Sequence, residues 1–395
     1  MGILSKEIES FLEKSSWIRK MFEAGIELKK KFGEENVYDF SLGNPDAPPP
    51  KKIKDSLLKI ADEVLKPYGL GYMPNSGYPY VRKRLALHIS EEQGVEISEK
   101  EVILTCGAAG GLNALLKAIL DPGDEVISPR PYFVEYRFYV LNHRGKFLSV
   151  PTLDNFHLNL SAISEKINQN TKAILINSPH NPTGVVYTKE ELLELGKILT
   201  NKSKEFGHPV FLISDEPYRF LTYEDSQVPS VFDVYDYSIV VSSFSKSLSL
   251  AGERIGYVAI SPKIDGKEKL MDGLIFTNRV LGFVNAPAIG QKIIDHLLEE
   301  KVDISSYKKK KDLMESILKE AGYEFYPPQG GFYFFPKAPG GDDVAFAKRL
   351  QEERILVVPG SGFEGKGYFR ISITVPESTI LGSKDGFKRA FLKTS

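Results

Sequence analysis

Residues 242–257 read S-S-F-S-K-S-L-S-L-A-G-E-R-I-G-Y, and they give the clearest indication of how this chain is built. An apolar run at residues 239–241 precedes them, as a buried strand precedes a loop. Lys246 lies among serines, and Arg254 follows in a Gly-x-Arg-x-Gly-Tyr segment. Hydroxyls and a guanidinium bind anions well, so the stretch predicts an anion site around an amine. A serine-rich loop with a solvated lysine is the simpler interpretation, and the rest of the chain decides between the two.

Short apolar runs and helical patterns alternate through the middle of the chain. The runs lie at residues 102–105, 125–128, 173–176, 210–213 and 239–241. Runs of this length between helices are typical of a mostly parallel sheet covered by helices on both faces. The segments before and after this region are different, with a triple proline after residue 47 and charged helical patterns mixed with isolated strands after residue 288. We expect an α/β protein with a large domain at residues 49–287 and a smaller α+β domain built from residues 1–48 and 288–395.

The charge of the chain argues against polyanionic partners. Lys and Arg number 51 against 52 for Asp and Glu, so the net charge is −1. A long charged helical pattern runs from about residue 288 to Lys319 and contains four lysines at residues 308–311. We interpret these lysines as a solvated helix face, and we expect neither nucleic acid nor a membrane as a partner.

The remaining composition excludes several other classes of protein. Cys106 is the single cysteine, which excludes a disulfide framework, and the six histidines lack ligand spacing, so no metal is expected. The N-terminus does not have the plan of a secretory signal. An apolar run of roughly 18 residues, as a membrane span needs, does not occur either. We expect a cytoplasmic protein.

Polar residues follow several of the predicted strands. Asn181, Asp215 and Lys246 each come after a strand, and residues 107–109 come after another and open a helix. In an open parallel sheet, ligands bind beyond the carboxyl ends of the strands. Free N–H groups at the start of a helix suit a phosphate. An amide, a carboxylate, an amine and a phosphate site at one edge of the sheet predict an active site.

These residues resemble the motifs of the class I aminotransferases, which are pyridoxal-phosphate enzymes of the aspartate aminotransferase fold. The matching motifs are Gly107-Ala108-Ala109, Asn181-Pro-Thr-Gly184, Asp215-x-x-Tyr218, Ser243-x-Ser-Lys246 and Arg254-x-Gly-Tyr257. The resemblance covers essentially the whole chain, from residues 43–46 to Arg370, in order and at family-like spacings.

The resemblance implies how pyridoxal 5'-phosphate is bound. Lys246 would form a Schiff base with the cofactor aldehyde and later move the substrate proton. Asp215 would keep the pyridine nitrogen protonated, while Asn181 and Tyr218 would bond to the ring phenolate oxygen. Phe133 would stack on the ring. The residues implied for the phosphate are Ala108 and Ala109 through their backbone, Ser243 and Ser245 through their hydroxyls, and Arg254 through its charge.

The resemblance also implies the contacts of the substrate. Arg370 would bind the α-carboxylate with two parallel hydrogen bonds, assisted by the backbone at Gly43 and by Asn181. Trp17 falls in the N-terminal segment that lines the substrate side-chain pocket in relatives. Tyr72 matches a tyrosine that reaches the phosphate of the neighbouring subunit, which implies a homodimer.

Two positions depart from the aspartate-specific pattern of the family. Tyr136 stands where a histidine often contacts the aspartate at the ring nitrogen, and a tyrosine can still provide that hydrogen bond. Arg279 lies near the place of a second arginine, which the partner subunit supplies for an acidic substrate side chain, but its register is displaced. The sequence therefore does not establish an acidic side-chain pocket.

Three functions are compatible with these motifs. The first is an aminotransferase that moves the amino group of a small L-amino acid, aspartate first, to a 2-oxo acid such as 2-oxoglutarate by a ping-pong mechanism. The second is a C–S lyase or another β-eliminating enzyme, because the same cofactor serves both reactions. The third is a cofactor-sensing transcription regulator, a class that carries a DNA-binding domain ahead of this fold. The short segment before residue 43 and the net charge of −1 argue against the third. We expect the first, with the second as its alternative.

Overall fold

The computed structural model describes residues 3–14, 16–224 and 226–393, and the side chains of residues 13–22 lie outside that description. The helices are α1 (Lys6–Lys14), α2 (Ser16–Phe32), α3 (Ile53–Glu63), α4 (Pro79–Gln93), α5 (Gly107–Ile119), α6 (Glu135–Asn142), α7 (Leu160–Lys166), α8 (Lys189–Phe206), α9 (Val231–Val234), α10 (Phe244–Ser247), α11 (Lys267–Val280), α12 (Ala288–Leu297), α13 (Ser305–Ala321), α14 (Asp343–Glu352) and α15 (Glu377–Leu392). The strands are β1 (Tyr38–Asp39), β2 (Val102–Thr105), β3 (Glu125–Arg130), β4 (Lys146–Pro151), β5 (Thr171–Asn177), β6 (Phe211–Asp215), β7 (Ser238–Ser243), β8 (Gly256–Ile260), β9 (Tyr333–Phe334), β10 (Ile355–Leu356), β11 (Val358–Pro359) and β12 (Phe369–Ser372). Within these ranges, no helix is both long enough and apolar enough to cross a membrane.

The largest sheet confirms the predicted α/β fold class. Among the described residues it has seven strands in the order β2-β8-β7-β6-β5-β3-β4. Every neighbouring pair is parallel except the two pairs that involve β8, which runs antiparallel to both β2 and β7. Strands β2, β5, β6 and β7 therefore point the same way, and their carboxyl ends meet at one edge.

Both faces of this sheet are buried because its strands are apolar at consecutive positions. In β5, Ile174 and Ile176 belong to one hydrophobic cluster, while Ala173 and Leu175 belong to another. The first cluster includes residues of α4, α8 and α12, and the second includes residues of α5 and α11. Side chains alternate across a strand, so helices cover the sheet on both sides, as the uninterrupted apolar runs predict.

A third hydrophobic cluster joins the two ends of the chain. Strand β1 pairs in parallel with β10, and β11, β12 and β9 form a small antiparallel sheet. Phe40 from the N-terminal segment shares this cluster with Tyr307, Phe332 and Phe387 from the C-terminal segment. These contacts support a small domain built from both ends, and the boundaries at residues 48 and 288 stay predictions.

The prediction of a single long helix up to Lys319 is wrong. The chain forms two helices there, α12 and α13, with a connection between them. The buried side chains of α12, such as Ile293 and Leu297, pack in the cluster of the large sheet. Those of α13, such as Met314 and Leu318, pack in the third cluster. One straight helix cannot face both clusters, so the chain turns between them.

The prediction that the four lysines of α13 are exposed to solvent is correct for only two of them. Lys308 and Lys309 are exposed, but Lys310 and Lys311 are buried. Lys310 pairs with Asp46, and Lys311 pairs with Glu315 at 2.9 Å. Lys310 and Lys311 follow the buried Tyr307 by three and four residues, so they lie on the inward face of the helix.

Candidate active site

A cavity of about 230 Å³ lies at the edge where β2, β5, β6 and β7 end. The predicted cofactor residues that line it are Ala108, Ala109, Phe133, Asn181, Asp215, Tyr218, Ser243, Ser245, Lys246 and Arg254. Tyr72 is 94% exposed and is not part of this lining in its own chain. The side chain of Trp17 lies outside the described residues. The structure thus brings together the residues that the strand ends and motifs identified.

Strand β8 explains why the start of α5 lies next to α10, the short helix that carries Lys246. Gly256, its first residue, pairs with Thr105 at the end of β2 and with Ser243 at the end of β7. A Cβ atom on Gly256 would lie 2.6 Å from the carbonyl oxygen of Ser242 and 2.7 Å from the carbonyl carbon of Gly107. Only glycine allows the two strand ends to approach so closely.

Lys246 lies in the short helix α10, immediately after β7, and its Nζ donates a hydrogen bond to the carbonyl oxygen of Gly43. Burial lowers the pKa of the Lys246 amine to about 8, and the charges of Arg370 and Arg254 act in the same direction. A lysine with this pKa is partly neutral near neutral pH. It can therefore act as a nucleophile and as a proton acceptor.

Asp215 is the last residue of β6 and is buried. Its Oδ2 accepts a hydrogen bond of 2.5 Å from the Tyr136 hydroxyl, so the hydrogen bond expected from Tyr136 is present. Its Oδ1 has no hydrogen-bond partner among the described residues. Burial raises the pKa of Asp215 to about 7, with the Tyr136 hydrogen bond lowering it and Glu216 raising it further. A cationic N–H donor facing Oδ1 would stabilise the ionised carboxylate.

The start of α5 and Arg254 form a site for an anion. Residues 107–109 open the helix directly after β2, so their N–H groups face the edge of the sheet. A Cβ atom on Gly107 would lie 2.6 Å from Nη2 of Arg254. Arg254 is fixed by a hydrogen bond of 2.8 Å from its Nη1 to the carbonyl oxygen of Ala251, and the same atom lies 3.5 Å from the hydroxyl of Ser245.

Arg370 is buried on β12, close to this cavity. Its Nη1 donates to Oδ1 of Asn181 at 3.1 Å, and its Nη2 donates to the carbonyl oxygen of Ser41 at 2.7 Å. The guanidinium carbon lies 4.6 Å from the ring centroid of Tyr333 and 4.8 Å from that of Phe363. Its Nε lacks a partner within the part of the chain that the structure describes. A planar cation held between two rings with a free donor suits a carboxylate.

Three side chains at this site were not found from the sequence. Tyr333 bonds to Tyr218 hydroxyl to hydroxyl at 3.0 Å, Phe363 lies against Arg370, and Asn177 donates to the backbone of Asp215 at 2.7 Å. Tyr333 lies in a segment with the pattern of ordinary apolar core, and Phe363 lies in a glycine-rich stretch, residues 360–366, that resembles a nucleotide-binding loop. Asn177 gave a usable signal, because it is a polar residue at the end of an apolar strand.

A second cavity, of about 300 Å³, also borders α10 and is lined by Glu216, Arg219 and Phe244, among others. Arg219 donates to Glu216 at 2.9 Å, so these two charged groups of the cavity are paired with each other. Among the described residues, no group of His, Cys, Asp and Glu side chains could hold a metal ion. Asp215, whose Oδ1 has no hydrogen-bond partner among the described residues, lines the smaller cavity.

The residues of the smaller cavity fit pyridoxal 5'-phosphate. The free Oδ1 of Asp215 matches a protonated pyridine nitrogen, and the start of α5 with Arg254 matches a phosphate. The Lys246 amine matches an aldehyde. Because Tyr218 is buried, its pKa is well above the usual value, so its hydroxyl keeps the proton that it would donate to the ring oxygen.

Comparison with known proteins agrees with this geometry. A profile of the family described as aminotransferase class I and II matches residues 35–381. The chain is 33% identical over 344 residues to an aspartate aminotransferase of Thermotoga maritima, with 86% of this chain and 87% of the relative covered. It is 29% identical over 395 residues to an aspartate aminotransferase of Pyrococcus horikoshii, covering 96% and 95%.

Solved structures match over the same length. An aminotransferase from Eubacterium rectale superposes with a TM-score of 0.95 at 36% identity, covering 100% of both chains. Aspartate aminotransferase from Thermus thermophilus with maleate superposes with a TM-score of 0.88 at 28% identity, covering 99% of this chain and 100% of the other. The chain therefore belongs to the class I and II aminotransferases, and it is a pyridoxal-phosphate-dependent aminotransferase of fold type I.

Proposed function

We propose that this enzyme transfers the amino group of a small L-amino acid, aspartate first, to 2-oxoglutarate by a ping-pong mechanism. The observation that carries the proposal concerns two buried atoms without a partner among the described residues. Asp215, which carries the free Oδ1, lines the same cavity as Lys246, and Arg370, which carries the free Nε, donates to Asn181 of that cavity. The choice of aspartate is supported by relatives named aspartate aminotransferase.

The roles of the cofactor-binding residues follow from their chemistry. When bound, pyridoxal phosphate supplies an aldehyde that reacts with amines and a pyridinium ring that withdraws electrons from the substrate Cα. Asp215 keeps the ring nitrogen protonated, and Asn181 and Tyr218 hydrogen-bond to the ring oxygen. Lys246 would take the proton from the substrate Cα and deliver it to the carbon that carried the cofactor's aldehyde, a task suited to an amine with a pKa of about 8.

Arg370 orients the substrate in this proposal. Two parallel hydrogen bonds to the α-carboxylate fix the amino acid in the plane of the guanidinium. The rings of Tyr333 and Phe363 hold that plane, and Asn181 holds one of its nitrogens. The carbonyl of Gly43, which accepts from Lys246, keeps the amine close to the Cα that it must deprotonate.

We further infer that the enzyme is a homodimer, with Tyr72 completing the phosphate site of the neighbouring subunit. Support comes from the loop around this residue, where Leu65, Tyr68 and Tyr72 are 88%, 91% and 94% exposed. Large side chains so exposed in one segment are typical of an interface. Arg279 and Phe276 are also exposed, with the guanidinium 5.4 Å from the ring, so Arg279 would act only across that interface.

A cytoplasmic location and the absence of nucleic acid or membrane partners complete the proposal. The lone free Cys106 fits a reducing compartment. The net charge of −1 gives no general attraction to polyanions.

The test is a panel of amino acids mixed one at a time with the holoenzyme in the absence of an acceptor. Aspartate should release about one equivalent of oxaloacetate per active site and convert the bound cofactor to its amine form, and 2-oxoglutarate should then restore the starting absorbance. If only neutral or aromatic amino acids convert the bound cofactor to its amine form, then one of these, and not aspartate, is the amino donor. Continuous release of pyruvate and ammonia from cystathionine, without an acceptor, would instead identify a β-eliminating enzyme.

A further inference from the structure

We propose that Tyr333 is a positioning residue of the reaction, whose hydroxyl tunes Tyr218 and whose ring holds Arg370. The inference rests on the proposed function, because it assigns Tyr333 a part in the same site. It concerns a residue that lies in an apolar strand and that no motif distinguishes.

The sheet register places Tyr333 beside Arg370. Strand β9 pairs antiparallel with β12, and Tyr333 lies opposite Ser372. Arg370 is two residues from Ser372, so its side chain projects from the same face and is a diagonal neighbour of Tyr333. The guanidinium carbon lies 4.6 Å from the Tyr333 ring centroid, within range of a cation–π interaction. The ring therefore fixes one side of the guanidinium plane.

The hydroxyl of Tyr333 lies in a different part of the site from its ring. It bonds to the hydroxyl of Tyr218 at 3.0 Å, and the two rings meet edge to face at 5.7 Å. Both side chains are buried, with Tyr333 only 3% exposed. If Tyr333 donates, the Tyr218 oxygen is satisfied and its own proton is directed at the cofactor ring oxygen. Hydrogen bonds in such a chain strengthen one another.

Gly43 adds a third contact at the same hydroxyl. A Cβ atom at Gly43 would overlap the Tyr333 hydroxyl, so the two groups can be adjacent only because residue 43 is glycine. The carbonyl of Gly43 accepts the hydrogen bond from Lys246. Tyr333 therefore contacts three groups that the proposed mechanism uses: a carboxylate-binding cation, a proton donor and the backbone that holds the lysine.

A simple role in the core does not account for the Tyr333 hydroxyl. The neighbours Phe332 and Phe334 are fully buried in the third hydrophobic cluster and carry no polar atom. A phenylalanine at position 333 would fill the same space. The hydroxyl adds only its contacts with Tyr218 and Gly43, so its removal tests the proposed role without opening a cavity.

The experiment follows the visible absorbance of the holoenzyme with pH, which reports the pKa of the linkage between the cofactor and Lys246. A hydrogen bond from Tyr218 to the ring oxygen lowers that pKa, because it stabilises the deprotonated form. Tyr333→Phe weakens this hydrogen bond and should raise the pKa by about 0.4–1 unit. Affinity for maleate, an unreactive dicarboxylate, should change by less than about twofold, because the ring against Arg370 remains.

Two further variants separate the hydroxyl from the ring. In a Tyr218→Phe background, Tyr333→Phe should produce no further rise in pKa, since the group through which it acts is gone. Phe363→Leu removes the other ring beside Arg370, and it should weaken maleate binding severalfold while leaving the pKa unchanged. Thermal unfolding of each variant checks that the fold is intact.

The results distinguish this inference from the proposed function. If the wild-type enzyme converts amino acids but Tyr333→Phe leaves the pKa unchanged, only the role of Tyr333 is refuted. An equal rise in pKa in the presence and absence of the Tyr218 hydroxyl also refutes it, because Tyr333 would then act by another route. If no amino acid converts the wild-type cofactor, the proposed function fails first and the inference fails with it.

Discussion

In the protein without its cofactor, the burial of Asp215 opposes the ionisation of its carboxyl group. It is buried, and its Oδ1 has no partner among the described residues, so the charged form is costly. Burial raises the pKa of this carboxyl to about 7, above the ordinary value of 3.8. The unfolded chain therefore ionises this group more readily than the folded chain does. Ionisation of Asp215 therefore destabilises the folded protein above about pH 4. This loss of stability increases until the pH reaches about 7 and is constant above that value.

The first prediction is that Asp215→Asn stabilises the cofactor-free protein and abolishes transamination. At pH 8 the melting temperature of the cofactor-free variant should exceed that of wild type by roughly 2–4 °C. At pH 4 the difference should nearly vanish, because Asp215 is then protonated in the folded state and about half protonated in the unfolded chain. Calorimetry across this pH range gives the comparison, and a variant that is less stable at pH 8 would show that the carboxylate is not strained by burial.

At the scale of the structural element, the start of α5 depends on the left-handed backbone of Gly107, where φ is +69°. The Cβ of an alanine there would approach Nη2 of Arg254 to 2.6 Å and displace it from the phosphate site. Gly94, at the end of α4, has a similar φ of +66° but no atom within 4 Å of an added Cβ. The two glycines thus share the strain of substitution and differ only in the collision with Arg254.

The second prediction uses this pair. Gly107→Ala should weaken cofactor binding about tenfold or more, whereas Gly94→Ala should leave it unchanged. Both variants should lose a similar amount of stability in the cofactor-free protein, because the backbone strain is the same. Titration of each cofactor-free protein with pyridoxal phosphate measures the dissociation constants. Equal affinities for the two variants would mean that Arg254 does not depend on the shape of this loop.

Helix α13 holds the segment that carries Gly43. Lys310 pairs with Asp46, and the backbone N–H of Ala47 donates to the Tyr307 hydroxyl at 3.4 Å. These contacts keep residues 43–47 against the helix and keep the carbonyl of Gly43 near Lys246. Helix α13 therefore helps to position the Lys246 amine, the proposed catalytic group, through the segment that carries Gly43.

The third prediction concerns this pairing. Lys310→Met keeps the aliphatic part of the side chain but leaves Asp46 unpaired, and we expect KM for the amino donor to rise about three- to tenfold with a smaller change in kcat. Lys309→Met is the matched control, because Lys309 pairs with Glu377 at 2.6 Å on the exposed side of the same helix. Steady-state kinetics of the two variants give the KM values. Identical KM values would show that the pairing of Lys310 with Asp46 does not position the segment that carries Gly43.

The elements differ in how far the sequence could predict them. Strands β2, β3, β5, β6 and β7 were predictable because both faces are buried and their apolar runs have no interruption, so the polar residues at their ends were predictable too. Strands β4 and β8 were not predicted, and β4 is only partly buried. The inward direction of Lys310 was not, because its partner Asp46 is distant in the chain. Tyr333 was hidden for a similar reason, since its neighbours Phe332 and Phe334 give the segment the appearance of core, and only the sheet register places its hydroxyl beside Tyr218.

At the scale of the whole molecule, one predicted cofactor residue does not reach the cavity of its own chain. Tyr72 lies in an exposed loop, while the other predicted cofactor residues line the cavity. The role proposed for Tyr72 therefore requires a second copy of the chain. Contacts between subunits have no periodicity in sequence, so Tyr72 could be assigned only through the family resemblance. A test that mixes subunits addresses this point directly.

The fourth prediction is that two inactive variants restore activity when they are combined. Lys246→Ala removes the catalytic amine, and Tyr72→Ala removes the proposed contact with the partner's phosphate site. In a mixed dimer, the Lys246 of one subunit and the Tyr72 of the other form one intact site. Random exchange makes half of the dimers mixed, with one good site in two, so about one quarter of wild-type activity should return. Each variant alone, treated identically, is the control. If mixing restores nothing although native mass spectrometry shows mixed dimers, then Tyr72 acts within its own subunit, and its exposure there would require the loop to fold back over the cavity.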